Sequence, residues 1–410
     1  MLDNAESDKW GYINRNGEEV IAVKYEEAGL FFMGLAKVKL DGKYGFIDEK
    51  GKTIIPHKYD EVYDFFERDR TFVKLNGKYG YIDTTGKEIT ELKYDEAKSF
   101  GEGLAAVKLN DRWGFIDANG KEVIPFKYDK TMHRFQDGLC IVNFEGLWGV
   151  IDKSDNVVIP FIYQDMSNTY DGYFFVGVDE KYAFIDSTGK EITPFKYENH
   201  SDTEFNEDRA LVKVDNKYGF IDKTGKEVIP VIYEYAEGFF DRYATVSLND
   251  KWGIIDKDNN IIIPIKYDFV EACLDDPSSP FIVELDEKRA LIDKNNKIVV
   301  PFKYDYIEPA GKGFFFAELN EKFGYINYQG KVITTFKYEH NEPSNFSNGV
   351  AQVCRDDKYG FINETGEEVI PPYYCSCWNF QDNGLAMVCI SAEHPINKLK
   401  RTINQGVKNG

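Results

Sequence analysis

The 70 acidic residues of this chain include nine that share one repeated position. Glu26, Asp60, Asp95, Asp129, Glu198, Glu234, Asp268, Asp305 and Glu339 each follow a tyrosine. Two carboxylates flanking a glycosidic bond can serve as acid and base, and a ladder of carboxylates can hold Ca²⁺. Neither chemistry suits a group that recurs once per segment. Catalysis needs one unlike pair, and the glycine-rich nonapeptide of calcium-binding β-helices is missing from the sequence. Four of the six cysteines gather near the end, at Cys354, Cys375, Cys377 and Cys389. Cys-x-Cys is not the usual zinc spacing, so these are read as free thiols, with a metal site or a disulfide as the alternative. Cys354 and Cys389 share a column with Lys39 and Lys108, which predicts an exposed position. Cys140 replaces Ala36 and Ala105 in another column and reads as a small core residue. The histidines at 57, 133, 200, 340 and 394 share no column. No nucleophile elbow and no phosphate-binding glycine loop accompanies them. No catalytic residue, cofactor or metal site is assigned, and the chain is expected not to be an enzyme.

The elements that position these groups are legible because they repeat. An aromatic-Gly-aromatic-Ile-Asp block begins at Trp10, Tyr44, Tyr79, Trp113, Trp148, Tyr182, Tyr218, Trp252, Arg289, Phe323 and Tyr359, with spacings of 34 to 37 residues. Residues 103–129, GLAAVKLNDRWGFIDANGKEVIPFKYD, form a clean copy. A strand over 104–109 meets a two-residue turn, Asn110-Asp111, whose counterparts are Asp41-Gly42, Asn76-Gly77 and Glu145-Gly146. Such pairs favour tight hairpins because both central residues need positive φ. A second strand over 113–117, a turn over 118–120 and a third strand over 121–124 complete a three-stranded antiparallel meander. The second turn carries Gly51, Gly86, Gly120 and their counterparts, and only Asp155, Asn259 and Asn296 replace glycine there. Those residues best tolerate the left-handed conformation. Asp48, Asp83, Asp117 and their counterparts open that turn, where a carboxylate can accept turn amides.

Proline follows the third strand in eight copies, as at Pro125 and Pro160, and ends it or marks an edge. A tyrosine closes every copy, including Tyr25, Tyr59, Tyr128, Tyr163 and Tyr267. A ligand contact would vary along an array, so this column predicts a ring packed between copies with its hydroxyl on neighbouring backbone. The glycine after the aromatic, as at Gly11 and Gly114, becomes only alanine, at Ala183 and Ala290. That column is limited by size.

The array resembles the bacterial WG-repeat family, named for the pair seen here at Trp10-Gly11, Trp113-Gly114, Trp148-Gly149 and Trp252-Gly253. The resemblance spans residues 9–390, after a lead over 1–8 and before a basic tail over 391–410. It implies an all-β interaction module and supplies no catalytic residues. The ninth copy departs from it with Arg289-Ala290, which predicts different packing or local exposure there. Copies this small must stack to bury a core, and an open superhelical β-solenoid is expected. A closed β-propeller-like ring is the alternative. It is favoured because the first copy starts at its second strand, Trp10, while the chain ends with a spare first strand over 385–390.

The net charge of −20 disfavours nucleic acid, and no apolar run approaches a membrane span. The start MLDNAESDKWGY lacks the features of a signal peptide, so a cytoplasmic location is expected, with non-classical export left open. The expected function is a non-enzymatic scaffold that binds another protein, favourably a basic one, along an extended acidic, aromatic-rich surface. Connections that vary on a fixed scaffold are natural recognition sites, and Asp275, Asp276, Ser278 and Ser279 of the longest one are the candidate binding residues. The alternative is glycan or cell-wall binding through exposed aromatic residues, since KWGYINRNGEE is similar to the aromatic hairpins of choline-binding repeats. The oligomeric state is left open.

Overall fold

The computed structural model describes residues 8–63, 69–132, 134–168, 172–200, 204–273, 280–339 and 344–391. Among these residues every regular element is a strand, and no helix is long and apolar enough to cross a membrane. The strands form eleven small antiparallel sheets, seven with four strands and four with three. One compact unit comprises Met1–Leu92, Glu308–Asn327 and Lys331–Gly410; the other comprises Lys93–Ile307 and Tyr328–Gly330.

The clean copy lies in the second compact unit. Leu104–Leu109 and Arg112–Asp117 are joined by Asn110 and Asp111, both with positive φ (51° and 63°). Arg112–Asp117 then pairs with Glu122–Tyr128. In the turn between them the Asp117 carboxylate accepts the N–H groups of Asn119 (2.8 Å) and Lys121 (2.9 Å). Gly120 has φ 80° there, and Asp155 and Asn259 hold the same left-handed conformation at 66° and 64°.

The three-stranded meander needs one correction. Glu96–Gly101 pairs with Leu104–Leu109 and makes the blade four-stranded. This lead strand hides in the connection because its register slips between Ala97 and Phe100, which breaks the alternation a strand would show. Phe100 is buried, as are its counterparts Phe31, Phe135, Phe205, Phe239 and Phe380.

The third strand contains a second irregularity, and it explains the small-residue column. Trp113 pairs with Tyr128 and Phe115 with Ile124, so the third strand carries extra residues opposite Gly114. The bulge drives the Ile124 carbonyl onto that glycine, where a Cβ would lie 2.7 Å from its oxygen. Gly11 and Gly45 meet Ile21 and Ile55 in the same way, at 2.6 and 2.5 Å. In three copies threonine replaces the buried Ile124 position, at Thr90, Thr193 and Thr334. Their hydroxyls accept the N–H groups of Tyr81 (3.0 Å), Phe184 (2.9 Å) and Tyr325 (2.9 Å), and the third strand shrinks to isolated bridges.

The apolar core lies between neighbouring blades. Leu104, Trp113, Phe115 and Tyr128 of one blade pack on Phe135, Cys140, Val142 and Ile151 of the next. Cys140 is the small core residue expected.

The first compact unit holds the seam. Ser376–Cys377, Ala386–Ile390, Lys9–Ile13 and Glu19–Tyr25 form one four-stranded blade drawn from both ends of the chain. Lys9 pairs with Ile390, Gly11 with Val388 and Ile13 with Ala386. The spare strand at the end completes the copy that lacks one. This overturns the open solenoid: its terminal strands would be unpaired, whereas here they lie in one sheet, as the propeller-like alternative requires.

Candidate functional site

The carboxylate column is consumed by the fold. Asp95 accepts the Asn110 N–H (2.9 Å), Asp60 that of Asn76 (2.7 Å) and Glu26 that of Gly42 (3.0 Å). Each caps the hairpin turn of the blade that follows. Several also bind a cation in the blade before, as Lys43 binds Asp60 and Arg112 binds Asp129. The Lys43 ammonium holds the Asp60 carboxyl below its ordinary 3.8. A second acid completes a recurrent trio: Glu27 accepts Lys39 Nζ (2.8 Å) and the Tyr44 hydroxyl (2.5 Å). The Lys39 and Tyr44 hydrogen bonds hold Glu27 below its usual value, while burial and Glu27 push Tyr44 up to about 12. Glu61, Lys74 and Tyr79 repeat the arrangement.

The tyrosine column is structural too. Tyr25, Tyr59, Tyr128, Tyr163 and Tyr267 are all buried. In two copies the hydroxyl contact expected on backbone goes instead to a side chain of the next copy's turn, while the buried Tyr59 hydroxyl has no hydrogen-bond partner among the described residues. Tyr128 donates to Asp155 (2.5 Å) and Tyr233 to Asn259 (2.7 Å), the residues that stand in the left-handed turn column. Trp113 is buried, and Trp10, Trp148 and Trp252 are half-buried. Arg289 is not exposed in the way its copy suggested. Its guanidinium lies between the rings of Phe269 (4.6 Å) and Tyr306 (4.4 Å), and Nε donates to Glu284 (2.9 Å). A stacked guanidinium thus replaces the aromatic ring.

The cysteine column also needs correction. Cys354 and Cys389 are buried, whereas Lys39 in the same column is partly exposed. A lysine stem carries its head out to water, and a cysteine is too short to do so. Among the described residues no cysteine is joined in a disulfide. The neighbouring thiols of Cys375 and Cys389 interact, which lowers the Cys375 thiol and raises that of Cys389. Their sulfurs and an Asp8 carboxylate oxygen all lie within 4.8 Å of one another.

The surface feature that sequence reasoning missed is apolar. Leu30 (44% exposed), Phe32 (40%) and Met33 (59%) crowd the end of one lead strand, and Trp378 (54%) stands nearby. Leu30, Phe32 and Trp378 line a cavity of about 380 Å³ with Phe31, Met387 and Gln381. The Gln381 amide fixes this wall, accepting the Phe31 N–H (2.8 Å) and donating to its carbonyl (2.9 Å). Other copies place Ser99, Gly101 and Glu102 where this one has Leu30, Phe32 and Met33, so the departure was visible in the alignment of copies. Asp275, Asp276, Ser278 and Ser279 lie outside the described residues.

Blades of this kind, with a sheet shared by both ends, define a propeller-like tandem-repeat protein. The family model described as WG containing repeat matches in eleven successive stretches from residue 10 to residue 391, leaving only the region around the ninth aromatic position unmatched. The chain belongs to that family. No curated protein matches it. Among solved structures it is similar to a eukaryotic initiation factor (10% identity, 80% of this chain and 95% of that one, TM-score 0.38). It is also similar to AztD of Citrobacter koseri (12%, 82% and 97%, TM-score 0.32) and to Hsv2p of Kluyveromyces lactis (9%, 62% and 96%, TM-score 0.33).

Proposed function

We propose that this chain is a non-enzymatic scaffold that binds another protein through the apolar cluster of Leu30, Phe32, Met33 and Trp378. The observation that carries this reading is the exposure of Leu30, Phe32 and Trp378 around one cavity, with Met33 exposed next to Phe32 in the chain, at positions that are polar or glycine in most other copies. A contiguous apolar patch with an aromatic anchor is the usual mark of a protein contact. The reading draws further support from the carboxylates: those that suggested chemistry are occupied in capping turns and pairing with lysines. The acidic surface favours a basic partner, with charge acting on the rate and specificity of encounter.

Proximity labelling in the native host, followed by titration of the captured protein, tests the proposal. Trp378→Ala and Phe32→Glu are expected to weaken binding by roughly 30-fold or more, the range of interface hot spots. Unchanged affinity in both variants would overturn it. A second reading, glycan binding, draws on the same Trp378 and Phe32 rings, which offer faces for stacking beside a cavity. Sedimentation with purified cell walls separates the two, because only a glycan binder is carried down and released by the Trp378 variant.

A further inference from the structure

The seam blade differs from the others in three linked places. In the blade that begins with Glu27–Phe32, the carboxylate of Glu26 caps the two-residue turn at Asp41-Gly42, and Lys39 pairs with Glu27. The seam has no such turn, because its first strand is Ala386–Ile390 and its second is Lys9–Ile13. Every position that would serve the turn is changed. Cys375 follows Tyr374 in the carboxylate column. Cys389 stands in the Lys39 column and Ser376 in the Glu27 column. Asp8 precedes Lys9 where Gly42 precedes Lys43. The place of a capped covalent turn is therefore filled by two sulfurs and a carboxylate gathered within 4.8 Å.

We infer that Asp8, Cys375 and Cys389 form a binding site for a thiophilic divalent cation of the zinc class, which joins the three segments of the seam. The donor set is of the right kind: thiolate and carboxylate are ordinary zinc ligands. Tetrahedral coordination with metal–ligand distances of about 2.0–2.3 Å needs ligand atoms roughly 3.5–3.8 Å apart, so from 4.8 Å the side chains close by no more than about 1.3 Å. Asp8 is exposed and Cys375 half-buried, which leaves an entry path and a fourth position for water. On binding, each thiol releases its proton to solvent and its sulfur donates an electron pair to the cation, with no change of oxidation state. The ligands come from the residue before Lys9–Ile13, the residue before Ser376–Cys377 and the strand Ala386–Ile390. The cation thus does for the seam what the hairpin turn does covalently for every continuous blade.

The experiment is a titration of the full chain, reduced with a non-thiol phosphine, with Co²⁺ and then Zn²⁺. One Co²⁺ per chain is expected, with a thiolate-to-cobalt absorption band that Zn²⁺ abolishes by displacement. Cys375→Ser and Cys389→Ser remove the band, Asp8→Asn weakens binding roughly tenfold or more, and Cys140→Ser leaves it unchanged. Zn²⁺ should also slow amide exchange in residues 9–13 and 386–390 of the wild type and Cys140→Ser but not of the Cys375 and Cys389 variants. Asp8 and Cys375 are not part of the buried core, so their variants report on binding even if Cys389→Ser fails to fold. Absence of saturable Co²⁺ binding by the reduced wild type would overturn the inference. Retention of the band in Cys375→Ser would do the same. So would loss of two hydrogens by mass in air with no metal bound when reduced, which identifies a disulfide.

Discussion

Two blades of the same design are held together in different ways. In the blade that starts with Glu96–Gly101, each strand is tied to the next by a short turn, and Asp95 caps the turn that matters most. In the seam, Lys9–Ile13 meets Ala386–Ile390 with no hairpin turn between them, and ladder bonds and packing hold the two strands side by side. Buried Ile13, Phe361, Ile370, Phe380 and Val388 supply that packing. The comparison separates what a repeat needs to be folded from what it needs to stay closed. Hydrophobic faces fold both blades, and only one of them has chain continuity to keep its strands in register.

The largest expected effect sharpens this contrast. Val388 and Val107 occupy the same column and are both fully buried. An aspartate at either should destabilise by about 4–5 kcal/mol, as burial of an unpaired charge does. The outcomes should differ in place. Val388→Asp is expected to erase exchange protection across residues 9–13, whereas Val107→Asp leaves residues 112–117 partly protected through their hairpin. Mass-spectrometric hydrogen exchange reads this directly, and equal loss in both blades would remove the distinction.

A second, smaller effect should be the same in both blades. Gly11→Ala and Gly114→Ala each set a Cβ against a carbonyl oxygen, at 2.6 and 2.7 Å. Each should cost about 1–3 kcal/mol, as overpacking does, in denaturant unfolding. Gly324→Ala, at 3.0 Å from the nearest backbone oxygen, should cost less than either.

The smallest effect follows from charge. Thr85 and the turn amides hold the Asp83 carboxyl below 3.8, the Lys121 amide holds Asp117 there, and Lys74 with Tyr79 holds Glu61 below 4.5. A carboxyl depressed by folding adds stability above its unfolded value and loses that contribution as pH falls through its folded one. Acidification through 4.5 and then 3.8 should therefore lower the thermal midpoint. The seam turn uses the neutral Asn14, whose oxygen accepts Asn16 and Glu18 amides at 3.0 Å. Exchange at residues 14–18 should change less with acid than at residues 117–121.

Much of this was legible in the sequence. The phase of the repeat, both turns and the capping aspartates follow from residues such as Asn110, Asp117 and Gly120. The offset between Trp10 and the spare strand at the end pointed to closure. Three things were hidden, each for a physical reason. The lead strand over Glu96–Gly101 slips register, so its alternation disappears. The carboxylate after most of the tyrosines reaches a turn that lies well along the chain, as Asp95 reaches Asn110, and a single-copy reading treats such a residue as free. The expected binding residues at 275–279 rested on loop variability alone, whereas the exposed Leu30, Phe32 and Met33 were visible only by comparing one copy with the rest.

The shared blade also has a consequence for synthesis. Lys9–Ile13 leaves the ribosome long before its partner Ala386–Ile390. Until then one edge of that first strand has unpaired amides and carbonyls, a template for any passing strand. A chain that stops early can form most of its blades and still fail to close. Closure of this blade therefore waits until Ala386–Ile390 has been translated.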